Sequence, residues 1–180
     1  MRGPLDIAAG RGSMLLKISR FITALNRACA TLSGVILLFA TGAIFVDVGL
    51  RYFFDRPSIW VTEVSSYLFL YIIFLGVSYA LDEGLHIRVT FALDRLGPLT
   101  NRIINTITYL FALVFALVLL WQTSIMTYEA YKGAWTTPTL LSTPFSYIYI
   151  IMVVGSFILV LTFLSHLALT VTGANQDMDK

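Results

Sequence analysis

The sequence predicts an all-α integral membrane protein with four transmembrane helices and a short amphipathic membrane-surface helix between the second and third. Two observations carry that prediction. Of 180 residues, 58% are hydrophobic and only 12% are charged, against about 25% charged in soluble domains. Four apolar stretches, at about 28–50, 60–81, 103–128 and 145–171, each exceed the roughly 18 residues at which a helix can cross a bilayer. Open strands are excluded because lipid leaves backbone groups unpaired, and the uninterrupted runs lack the alternation of a β-barrel.

The organisation that follows is a cytoplasmic N-terminal segment (1–27), a four-helix membrane domain (28–171) and a cytoplasmic tail (172–180). Orientation comes from the basic residues beside the spans, which are retained on the cytoplasmic side. Arg11, Lys17, Arg20 and Arg27 precede the first span, and Arg88, Arg95 and Arg102 fill the second loop. Only Arg51, Arg56 and Lys132 oppose them, so both termini are expected inside. The first apolar run is too long for a signal-peptide core and lacks a clear small-residue cleavage site. Residues before Met14, a second possible start, are Gly-rich and read as a flexible extension.

In the first span, Gly34, Gly42 and Gly49 recur at about two turns and form one close-approach seam. It is expected to pack on this chain's own helices, with docking onto another subunit as the alternative. Asp47 and Arg51 are four apart, the spacing of an intrahelical ion pair whose groups at a helix end can both reach water.

Pro57 fits the first turn of the second helix, and Asp55 is expected to cap it. Glu63 then lies near the positive end of that helix, with Arg51 or Arg56 expected nearby to keep it ionised. Trp60 is either a headgroup-belt residue or a partner contact. After the second span, about 87–97 places Val89, Ala92, Leu93 and Leu96 on one side and Arg88, Asp94 and Arg95 away from it, the pattern of the membrane-surface helix, ended by Gly97 and Pro98. The third loop, with Trp135 and two prolines, reads as structured and leads into the fourth span at Pro144.

Catalytic and redox chemistry finds few candidate groups. The lone Cys29 gives no intrachain disulfide or thiolate cluster. The two histidines, His86 and His166, sit near helix ends and fall short of the paired ligands of a multi-haem bundle. His86 reads as a hydrogen-bonder that fixes its turn, and His166 as a helix-end residue favoured by the dipole. No phosphate loop, internal repeat or broken helix points to nucleotide binding or to a self-sufficient carrier. The net charge of +2 comes from residues that set topology, so no nucleic-acid partner is indicated. Neither a cofactor nor a metal is expected, and the chain does not read as an enzyme.

One ordered set of residues runs from the end of the first span to the second loop: Arg51-Tyr52, Pro57, Trp60-x-x-Glu63, Leu75-Gly76, Ala80, and Gly84-x-His86-Ile87-x-Val89. In order and spacing it resembles the DctQ-like small membrane subunit of tripartite ATP-independent periplasmic (TRAP) transporters. The likeness continues more loosely through Thr137, Pro138, Leu140 and Pro144, but Phe145 stands where the family often has Trp, and the last span lacks the family's proline. The resemblance implies a non-enzymatic partner of a large multi-span membrane subunit in the bacterial inner membrane, served by a periplasmic substrate-binding protein. It implies that substrate, typically an organic acid, and sodium bind the large subunit, which moves as an elevator against this brace. Arg51, Trp60, Glu63, Gly76, Gly84, His86 and Val89 become the candidate partner or packing positions, with lipid around them. The rival expectation is an autonomous small channel or carrier that uses Asp47 and Glu63 as an ion path.

Overall fold

The protein is described from a computed structural model covering residues 4–55, 58–83, 98–139 and 141–172. Four helices account for nearly all of it: α1 (Pro4–Phe54), α2 (Ile59–Asp82), α3 (Pro98–Lys132) and α4 (Phe145–Thr172). Each contains a segment long and apolar enough to cross a membrane: Lys17–Phe54, Trp60–Asp82, Ile103–Lys132 and Phe145–Thr170. The expected surface helix at 87–97, together with Gly84, His86 and Val89, lies outside the described residues.

The helices outrun the expected spans, most of all at α1, which starts at Pro4 and has 51 residues. At 1.5 Å per residue that is about 77 Å, more than twice a hydrocarbon core of about 30 Å. Apolarity limits the span, whereas a helix continues until a backbone stop. The stop arrives at Asp55, whose φ of 52° is left-handed and unable to extend α1. Asp55 lies four residues before Ile59, the first of α2, and does not fill the capping role expected of it. Ser58 is the N-cap of α2, and its side chain makes no capping bond.

The bundle is open, with α4 at its centre: α4 packs on α3, α2 and α1, α2 packs on α1, and α1 and α3 make at most marginal contact. In an apolar 18-residue stretch of α4, 39% of residues are buried, against 6% to 17% in the matching stretches of the other three. Leu81, Ala116, Leu159 and Phe163 form the apolar centre where α2, α3 and α4 meet.

Glycines set the closest approach, though not those of α1. Among the described residues nothing lies within 4 Å of where a Cβ would stand at Gly34, Gly42 or Gly49, so that seam does not pack on the described helices. The tight crossing is at Gly155 of α4, where a Cβ would stand 2.7 Å from the Phe74 Cβ and 2.8 Å from its carbonyl carbon. Gly76 makes a second, looser approach, leaving its Cβ position 3.4 Å from the Ser33 hydroxyl, which donates to Ile72 O at 2.9 Å.

Candidate functional site

Polar side chains are scarce in this chain; Ser33 and Ser156 are buried within the spans, and two larger polar clusters lie at the ends of the bundle. At the end where α1 turns into α2, Asp47 is 5% exposed. It accepts from Arg51 Nη2 at 3.2 Å and from the Ser58 backbone N–H at 2.7 Å. The carboxylate of α1 thus supplies the cap that neither Asp55 nor the Ser58 hydroxyl gives α2, and it does so across the turn. The pair is unequal: the Asp47 side chain is buried and does not share the access to water expected of both, while the Arg51 side chain is 56% exposed. Asp47→Ala should therefore loosen the turn by about 1 kcal/mol, the cost of a lost cap. Arg51→Ala should cost less, since half-exposed ion pairs contribute about 0–1 kcal/mol. Thermal melting of the two purified variants checks the order.

Glu63, one turn into α2, is buried at 9% exposure. Its partners are hydroxyls, with no arginine among its described hydrogen bonds. Tyr67, four residues on, donates to Oε1 at 2.6 Å, and Thr137 donates to the same oxygen at 3.2 Å. Thr139 donates to it as well. Oε2 is buried without a hydrogen-bond partner. Glu63 thereby staples the loop between α3 and α4 to α2. That loop is also closed on itself, through a Thr136–Pro144 bridge, Thr137 N to Thr143 O at 3.0 Å and Phe145 N to Trp135 O at 2.9 Å. Trp60 is half exposed beside the Asp47 groove. Of the two arginines expected near Glu63, Arg51 lines the same cleft but gives its guanidinium to Asp47, and Arg56 lies outside the described residues.

At the opposite end, Asp82 of α2 meets His166 of α4, Oδ1 to Nε2, at 3.2 Å. Tyr109 of α3 stacks on His166 with ring centroids 5.6 Å apart, and Thr23 and Asn26 of α1 lie beside Asp82. Asn26 is fully buried and donates to Thr162 at 3.1 Å. All four helices therefore contribute to one polar knot. Taken alone, His166 gives no sign of this knot in the sequence. The signal was available: a four-span topology returns the end of α2 and the end of α4 to the same membrane surface.

Among the described residues no group of three His, Cys, Asp or Glu could hold a metal ion. Asp47 and Glu63 sit at the same end of the bundle, each committed to hydrogen bonds. The profile of the tripartite ATP-independent periplasmic transporters, DctQ component, matches residues 40–173, from the middle of α1 to the end of α4.

The chain belongs to the DctQ component family.

That family is a component of a transport system, and its match together with the four long apolar helices makes the chain a multi-pass protein of the inner membrane. Among its relatives, a TRAP transporter small permease protein of Haemophilus influenzae is 33% identical over 101 residues, 56% of this chain and 61% of that protein. The sialic acid TRAP transporter small permease protein SiaQ of Vibrio cholerae is 32% identical over 50 residues, 28% of this chain and 29% of SiaQ. The chain thus matches less than two thirds of either relative's length. The DctQ match encloses Asp47, Arg51, Trp60, Glu63, Gly76, Asp82 and His166, while Thr23 and Asn26 of α1 lie before it.

Proposed function

We propose that this chain is the small permease subunit of a TRAP transporter, a scaffold on which a large elevator-type subunit performs sodium-coupled uptake. An organic acid delivered by a periplasmic binding protein is the substrate class the family suggests, and sialic acid is what one relative's name carries. Both termini face the cytoplasm in this reading, following the basic residues of the N-terminal segment and second loop.

The observation that supports a scaffold best is the open bundle. The α1 and α3 helices present long apolar faces outward, with Leu38, Phe45 and Tyr52 on one and Phe111, Val118 and Trp121 on the other. The polar groups are spent on holding helix ends and a loop together. An autonomous channel through Asp47 and Glu63 would need both carboxylates on an aqueous path. Their committed bonds and shared end of the bundle weigh against that arrangement.

Coexpression with the adjacent large subunit and binding protein tests the proposal, with uptake in proteoliposomes read under imposed sodium gradients. The expected result is copurification of the two membrane chains and loss of sodium-driven uptake when this chain is omitted. Uptake unchanged without it would sink the scaffold reading, and transport by this chain alone would establish the autonomous carrier.

A further inference from the structure

We infer that the outward face of α3 around Gln122 docks a transmembrane helix of a different chain. That helix carries a hydrogen-bonding side chain level with Gln122 and a basic side chain level with Glu129. The inference rests on the subunit reading above and names the face and the chemistry of the contact.

Phe111, Phe115, Val118, Gln122, Ile125 and Glu129 follow one another at alternating steps of four and three, and all are exposed. A mean spacing of 3.5 keeps them on one stripe, along which a second helix can run at a crossing of about 20°. The apolar members of the stripe suit lipid as well as they suit protein. The carboxamide does not, because hydrocarbon offers it no hydrogen-bond partner.

Exposed Tyr128, Tyr131 and Trp135 mark the membrane interface at this end of the bundle. Gln122 lies about 9 Å deeper than Tyr128 at 1.5 Å per residue, too far for its short side chain to reach the headgroups. It is the one exposed carboxamide among the described residues of the four spans, and it makes no hydrogen bond. Neighbouring Thr123 and Ser124 spend their protons on carbonyls of their own helix. Buried Asn26 has Thr162.

Glu129 decides which helix. Two turns above Gln122, its carboxylate is exposed and likewise unpaired. Two copies of this chain share one orientation in a bilayer, so a twofold contact along the stripe would set Gln122 on Gln122 and Glu129 on Glu129. The amides would accept that pairing, but the carboxylates would repel. A different chain, with a cation at the outer level and a donor or acceptor two turns deeper, satisfies both.

The test uses this chain coexpressed with the adjacent large subunit and purified through a tag on this chain. A photoreactive benzoylphenylalanine at Val118 should cross-link to the large subunit. One at Leu117, exposed on another flank of α3, should not. Gln122→Leu should lower retention of the large subunit about threefold, the scale of one hydrogen bond between membrane helices. Glu129→Lys should lower it more in low salt than in high salt.

Both variants should melt like wild type when purified alone, since neither side chain has a partner within the chain. A lowered melting temperature for Gln122→Leu would make Gln122 an internal structural residue and overturn the inference. Cross-links from Val118 to a second copy or to lipid alone, equal cross-linking from Leu117, or retention unchanged by Gln122→Leu would overturn it too. If wild type itself fails to retain the large subunit, the subunit reading falls and takes the inference with it. If wild type retains it and Val118 and Gln122 give no response, the inference falls alone.

Discussion

Gly155→Val is expected to be the most damaging packing substitution in the described bundle. A Cβ there would meet the Phe74 Cβ at 2.7 Å and the carbonyl carbon at 2.8 Å, with the carbonyl oxygen nearer still. Rotation of a flexible side chain cannot clear backbone atoms, so α2 and α4 must separate. Overpacking of this kind costs about 1–3 kcal/mol in well-packed interiors. The effect should be large because α4 is the helix on which the other three pack. Melting in detergent, followed by fluorescence-detected size exclusion, should show a clear downward shift and loss of the monodisperse peak. Gly42→Val is the matched control: nothing lies within 4 Å of its Cβ position, so its melting should be near wild type. Equal melting of the two variants would contradict the close α2–α4 crossing.

The contrast between these glycines shows what a membrane sequence reveals and what it hides. Four helices were legible because a bilayer demands long apolar runs, and no soluble core needs several of them in 180 residues. Packing faces were not, because lipid and helix interior are equally apolar and select similar side chains. Gly34, Gly42 and Gly49 have the regular spacing of a seam, yet the tight contact falls to the isolated Gly155.

The polar groups divide in the same way. The approach of Arg51 to Asp47 follows from a four-residue helical spacing and can be read locally. The bond of Thr139 to Glu63 joins residues 76 apart through an irregular loop, and no periodicity encodes it. The capping of α2 lies between these cases. A helix start needed an acceptor, and an aspartate supplies it, but from the preceding helix. Backbone turn geometry decided which one, through the left-handed Asp55.

Asp82→Leu is expected to produce the second large loss, because one carboxylate serves groups from several helices. His166 bonds its Oδ1 at 3.2 Å, and Thr23 and Asn26 of α1 stand beside it. Leucine keeps the bulk and removes every acceptor. The remaining donors then lie at the end of a bundle where water is restricted, since the His166 side chain is only 19% exposed. Leaving a buried donor unsatisfied costs about 1–3 kcal/mol, while hydrogen bonds between membrane helices average about 0.6 kcal/mol, because the unfolded chain in lipid also finds partners. The loss should fall between those limits and show as lowered melting temperature in detergent.

Asp82→Asn retains one carbonyl oxygen toward His166 and should recover most of that stability. A double-mutant cycle with His166→Leu separates the pair from its surroundings. If the pair is coupled, the double variant should be less damaged than the sum of the two single ones. Strict additivity would mean that Asp82 acts mainly through α1, by way of Asn26 and Thr23. Asn26→Leu then distinguishes that route, because it removes the bond to Thr162 at 3.1 Å and leaves the Asp82–His166 contact in place.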